Sequence, residues 1–380
     1  MPGLKGFRRT LQMLGAKMVT RADRWPVAGL TAHYGVEFPS TPATIKNISS
    51  SGIFLGVQER LPVGQLVTLE LQMDGDPELS SELQISLQAK IVRQDEFGVG
   101  LMFVQLPGLD ADLWEVLVRS AVVLTDREQV VHVFSTLRTV LFLCRLCQSG
   151  AEEAILLLDG RLDQHRTATL FKIARAVENL LLADPDADRM RAHPALVASL
   201  LRDGSWASDE LTTQLWVGLF VSSCSVDEPD DSNQILVDLL IQITPHQAIA
   251  FTHACERALS SAPASGDLTS VSVVLGPDEI KKLTGMVDLS RCATDLAYLY
   301  NLGLIRKLFD FTSYREIDTF DITPTRLGFE LYSHCHGQRG KIDPQLAASA
   351  REHLAALIPA PLPSVWEYPA PPVPDSSQEK

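Results

Sequence analysis

The chain contains no apolar run long enough to cross a membrane; the stretch Val140-Leu-Phe-Leu-Cys144 is interrupted by Arg138 and Arg145. It has no P-loop, no dinucleotide-binding glycine fingerprint and no HExxH pair. Its paired carboxylates fall in loops and helix starts, where acidic side chains need no catalytic explanation. An enzyme is therefore not expected. The first residues are basic but lack the apolar core and small-residue cleavage site of a secretory signal, which points to a cytoplasmic protein. Six cysteines in 380 residues are too few for a disulfide scaffold, so reduced thiols are expected. Positive charge is also scarce. A net charge of −14 argues against general binding to nucleic acid or to a membrane surface, both of which rely on a positive field.

What is present is unevenly distributed. Residues 1–24 hold Lys5, Arg8, Arg9, Lys17, Arg21 and Arg24 against Asp23 alone. Residues 1–20 read as a basic tail, and Arg21-Ala-Asp-Arg24 as the place to look for an anionic ligand. Residues 21–110 read as short strands: Leu30 to Phe38, Ala43 to Gly56, Leu66 to Gln72, Leu83 to Val92 and Gly98 to Phe103. Gly64, Asp74-Gly-Asp-Pro77 and Asp95-Glu-Phe-Gly98 supply the turns between them. Strands at such even spacing predict a small antiparallel barrel or sandwich.

After Asp110 the period changes to that of helices. Residues 111–185 form a connector or small subdomain. Within it Ala154 to Gly160 could be a buried strand, and Leu170, Ile173, Ala174, Val177 and Leu181 repeat as a helix. Residues 186–265 are helical, with starts at Ser208-Asp-Glu-Leu211 and Thr244-Pro245. Residues 270–340 run helix, helix, hairpin and helix, a winged-helix-like order, and residues 359–380 form a proline-rich disordered tail. The fold class is thus α+β and multidomain: an N-terminal antiparallel barrel or sandwich, then a mostly helical region with a winged-helix-like unit.

One segment carries recognisable binding chemistry. Ile45-Lys-Asn47-Ile-Ser49-Ser-Ser-Gly52-Ile53-Phe54-Leu55 sets Asn-x-Ser-x-x-Gly between apolar strand residues. An amide and a hydroxyl can read the edge of a purine, and glycine lets a backbone approach closely. A guanidinium grips phosphate and stacks on a base face. With Arg21 and Arg24 upstream, these residues suggest a receptor for a guanine-containing, phosphate-rich ligand.

Residues 21–106 resemble the PilZ domain, a bacterial receptor module for cyclic di-GMP. The resemblance rests on Asn47-Ile-Ser49-Ser-Ser-Gly52, on the strand Ile53-Phe54-Leu55, on Leu61-Pro-Val-Gly64 and on Val92 through Gly98-Val-Gly100-Leu-Met-Phe103. It implies cyclic di-GMP as ligand, no cofactor, and a site made of Arg21, Arg24, Asn47, Ser49 and Gly52. The family's Arg-x-x-x-Arg segment is altered: Thr20 stands four positions before Arg24, and Arg21 stands three before it. Residues 185–260 resemble the Abi-alpha-like helical proteins through Asp209-Glu-Leu211-Thr-Thr-Gln214-Leu215-Trp216 and the step ending in Thr244-Pro245. That resemblance brings no catalytic residues, and Trp216, an aromatic at helical spacing, is expected to be a core anchor.

These readings describe a signalling effector whose barrel binds cyclic di-GMP and whose helical region, the expected surface for a protein partner, passes the signal on. Two alternatives compete. One is a degenerate barrel in a scaffold or defence-associated protein that binds no nucleotide. The other is a winged-helix DNA-binding regulator. Against the latter, residues 278–341 carry as many acidic as basic side chains, so nucleic acid is not the expected partner. Cys144-Arg-Leu-Cys147 and His334-Cys335-His336 have the elements of a zinc site but lie far apart in sequence, and buried packing is the expected role of the cysteines. Oligomeric state is not legible.

Overall fold

A computed structural model describes residues 30–36, 41–49, 51–57, 59–73, 84–104, 127–148, 162–226, 229, 231–261, 271–306 and 319–339. Six strands make the first unit: β1 (Leu30–Gly35), β2 (Thr41–Ser49), β3 (Gly52–Gly56), β4 (Leu66–Met73), β5 (Ile85–Asp95) and β6 (Gly98–Phe103). They close into an antiparallel barrel in the order β1-β2-β3-β6-β5-β4. The alternation along β5 shows why. Ile85, Leu87, Ala89 and Ile91 are buried, while Ser86, Gln88 and Lys90 between them are exposed, so one face fills the barrel and the other meets solvent. Ile53, Leu55, Leu69, Val99 and Leu101 complete the interior.

Two irregularities shape the outside. The β2–β3 register shifts between Ile45 and Asn47, and the β5–β6 register between Ile91 and Arg93. Each leaves one residue, Lys46 or Val92, without a direct partner, bending the strand and re-aiming the side chains beyond the bulge.

The rest of the described chain is mostly helical: α1 (Arg127–Cys147), α2 (Gln164–Leu182), α3 (Pro194–Gly204), α4 (Glu210–Ser222), α5 (Gln234–Leu240), α6 (Pro245–Ser260), α7 (Pro277–Thr284), α8 (Leu289–Asn301) and α9 (Arg326–Cys335). Local chemistry starts several of them. Asp163 accepts from the Arg166 N–H at α2, and Asp209 from the Thr212 N–H at α4. Thr244 and Gln247 form a reciprocal capping box at α6, with Pro245 in the first turn.

Helix α4 is the centre of this region. It is buried nearly all round, from Thr212 and Thr213 through Trp216 and Phe220 to Ser222, as expected of a helix without a polar face. It packs against α2, α3, α6 and α9. Trp216 lies in this core, as the sequence implied. A half-hidden ion pair, Arg138 to Glu178 at 2.7 Å, joins α1 to α2.

The helix expected across Leu170 to Leu181 is present as α2, whereas the strand considered for residues 154–160 lies outside the described residues. Near the end, β7 (Val274–Leu275) pairs antiparallel with β8 (Phe320–Asp321), and Ile305 bridges to Pro324. Of the hairpin expected in that unit, residues 307–318 lie outside the described residues, as do the two tails. Among the described residues no single helix is long and apolar enough to cross a membrane.

Candidate ligand-binding face of the barrel

Strands β2 and β3 place the asparagine, serine and glycine that define the Asn-x-Ser-x-x-Gly run in different situations. Ser49 is buried at the end of β2. Its hydroxyl donates to the Gly52 carbonyl at 3.1 Å and lies 3.3 Å from the Ser51 hydroxyl, so it closes the turn between the strands. Gly52 opposes Met102 across β3 and β6, and a Cβ there would stand 2.1 Å from the Leu101 carbonyl oxygen. Its missing side chain therefore lets two strands meet. Asn47 is half-buried just past the β2 bulge and opposes Phe54 on the outer face. Of the three, Asn47 is the one that takes no part in the turn or in the β3–β6 contact. Arg21 and Arg24 lie outside the described residues.

Register extends the Asn47 row across the sheet. Asn47 on β2 opposes Phe54 on β3, Phe54 opposes Gly100 on β6, and Gly100 opposes Arg93 on β5. Because Gly100 has no side chain, Arg93 can lie across it; a Cβ at Gly100 would stand 2.6 Å from Arg93 Cγ and 2.8 Å from its Nε. The guanidinium carbon comes to rest 4.9 Å from the centre of the Phe54 ring, within cation–π range. On the other flank Lys46 lies over Gly56, where a Cβ would stand 2.7 Å from its Cε. In the adjacent row Lys90 opposes Met102.

The outer face thus carries an amide, an aromatic ring and a guanidinium abreast, with two ammonium groups nearby. Such a set suits a flat, anionic ligand: the amide offers paired donor and acceptor groups, and the cations offer charge. Phe54 entered the sequence reading only as a strand residue and Arg93 not as a site residue at all. The usable signal was Gly98-Val-Gly100, whose alternation leaves the first two outer positions of β6 without side chains.

The cysteines do other work. All six are free and buried, and among the described residues no three His, Cys, Asp or Glu side chains gather closely enough to hold a metal ion. Burial pushes the Cys144 thiol up to about 11 and those of Cys147 and Cys224 up to about 12. An ordinary thiol titrates near 8.5, so at pH 8 these groups hold almost no thiolate, the reactive form. A disulfide-exchange reagent at pH 8 is expected to label the native protein at least about a hundredfold more slowly than the protein in denaturant; comparable rates would show that the helical core opens readily. The same shifts fix a sign. Folded-state values raised above the unfolded ones leave this contribution to stability intact below about pH 8.5 and erode it as pH climbs towards the folded values.

Comparison with protein families bears on the barrel. Residues 21–119 match the family model of the PilZ domain, about a quarter of the chain. The match begins where the sequence resemblance began and runs past residue 106 into positions outside the described residues. No curated protein matches the chain significantly.

Proposed function

We propose, from the premise that residues 21–119 form a PilZ domain, that this chain is a cyclic di-GMP effector whose barrel binds the nucleotide on its outer face and whose helical region is the output module. PilZ domains are a receptor family that uses no cofactor, and they bind rather than catalyse. The observation carrying the reading is the placement of Asn47 on the outer face of a closed six-stranded barrel, past a bulge and beside Phe54. Asn47 reads a guanine edge. Ser49 and Gly52 hold the turn that positions it. Arg21 and Arg24 close over the phosphates and pass ligand occupancy to the helical region. Ligand can shift that equilibrium only through a higher affinity for the closed arrangement.

Calorimetric titration of cyclic di-GMP into the full chain tests this. Saturable heat at micromolar ligand is expected, and none at high micromolar ligand would overturn the receptor reading in favour of a barrel that serves only as structure. Arg24→Ala should weaken binding at least tenfold, about 1.4 kcal/mol. An unchanged Kd would remove Arg24 from the site.

A further inference from the structure

We propose that Arg93, resting on Phe54, is a stacking platform for one purine of the ligand, an assignment that rests on the cyclic di-GMP reading above. Cyclic di-GMP is a ring of two flat purines joined through two phosphodiesters, so a receptor face must offer both planar surface and positive charge. The Asn47, Phe54, Gly100 and Arg93 row offers both in one line. Three features make the arginine more than a solvated surface charge.

First, its route is built. Arg93 reaches a ring two strands away only because Gly100, between them, has no Cβ. Second, the group that positions it is an aromatic ring; among the described residues no carboxylate pairs with it, so its charge is not neutralised in place. Third, the β5 bulge before it sets the register that brings Arg93 level with Phe54 and Asn47. A guanidinium is planar on both sides. With one side on Phe54, the other can receive a purine while Asn47, in the same row, meets the base edge. Holding the side chain in place beforehand reduces the ordering entropy that binding would otherwise cost.

A stacking role and a purely charge-based role differ under substitution by lysine, which keeps the charge but loses the plane. Cyclic di-GMP is titrated into the full-length wild type and into Arg93→Lys, Arg93→Gln and Gly100→Ala, with a thermal melt of each. Arg93 is exposed, so its variants should melt with the wild type. Both are expected to bind at least about tenfold more weakly, and Gly100→Ala, which evicts the arginine without removing it, should weaken binding in parallel. Arg93→Lys within twofold of wild type would overturn the stacking assignment. If the wild type binds and Arg93→Gln is also within twofold, Arg93 has no part in the site, while the receptor reading stands. If the wild type gives no heat, the receptor reading itself fails and takes this assignment with it.

Discussion

Gly218→Ala is expected to destabilise the helical region by about 3 kcal/mol or more, the upper end of the penalty for overfilling a packed core. Judged by helix propensity alone the change should help, since alanine is favoured over glycine in a helix interior by about 1 kcal/mol. The tertiary contact reverses the sign. A Cβ at Gly218 would stand 1.8 Å from the carbonyl oxygen of Cys335 and 2.4 Å from its carbon. Those are backbone atoms at the end of α9, so no rotamer change can relieve the overlap, and α4 and α9 must separate. Helix α4 also touches α2, α3 and α6, which spreads the displacement through the core. At roughly 2–4 °C per kcal/mol for a region of this size, the helical melting transition should fall by about 6–12 °C. A change below about 2 °C would show that the α4–α9 crossing is loose.

Gly52→Ala should do comparable damage to the barrel, about 2–3 kcal/mol, for the same kind of reason. Its Cβ would meet the Leu101 carbonyl oxygen at 2.1 Å and the Met102 Cα at 3.2 Å, forcing apart the β3–β6 pairing that closes the sheet. The distinction matters for function. If Gly52 served mainly to admit ligand, the alanine variant would fold normally and bind poorly. If it serves strand approach, as the geometry indicates, binding and the barrel's thermal transition should fall together. A titration and a melt on the same sample separate the two. Undiminished stability with lost affinity would return Gly52 to the ligand.

Much of the architecture was legible in the chain. The strand readings at Leu66 to Gln72 and Leu83 to Val92 fall on β4 and β5, and a strand with one dry face must alternate, as β5 does. Thr244-Pro245 announced the start of α6, since capping is a local transaction between neighbouring residues. The Asn-x-Ser-x-x-Gly run identified the barrel, and the family match agrees. It also suggested that Asn47, Ser49 and Gly52 would act as a ligand-facing set. The structure shows what each does in the fold: Ser49 bonds across the turn, Gly52 lets two strands meet, and Asn47 stands opposite Phe54 in the outer row.

By itself, then, the sequence determined where strands give way to helices, how individual helices begin, and which segment matches the PilZ family model. These depend on interactions within a few residues, which periodicity and turn chemistry record. Only the tertiary structure decided that Asn47, Phe54, Gly100 and Arg93 stand side by side, and that α4 is clasped at Gly218 by the end of α9. Both depend on registers between segments distant in the chain. A bulge shifts such a register by one residue, and no local pattern reveals which glycine a distant side chain or carbonyl will cross.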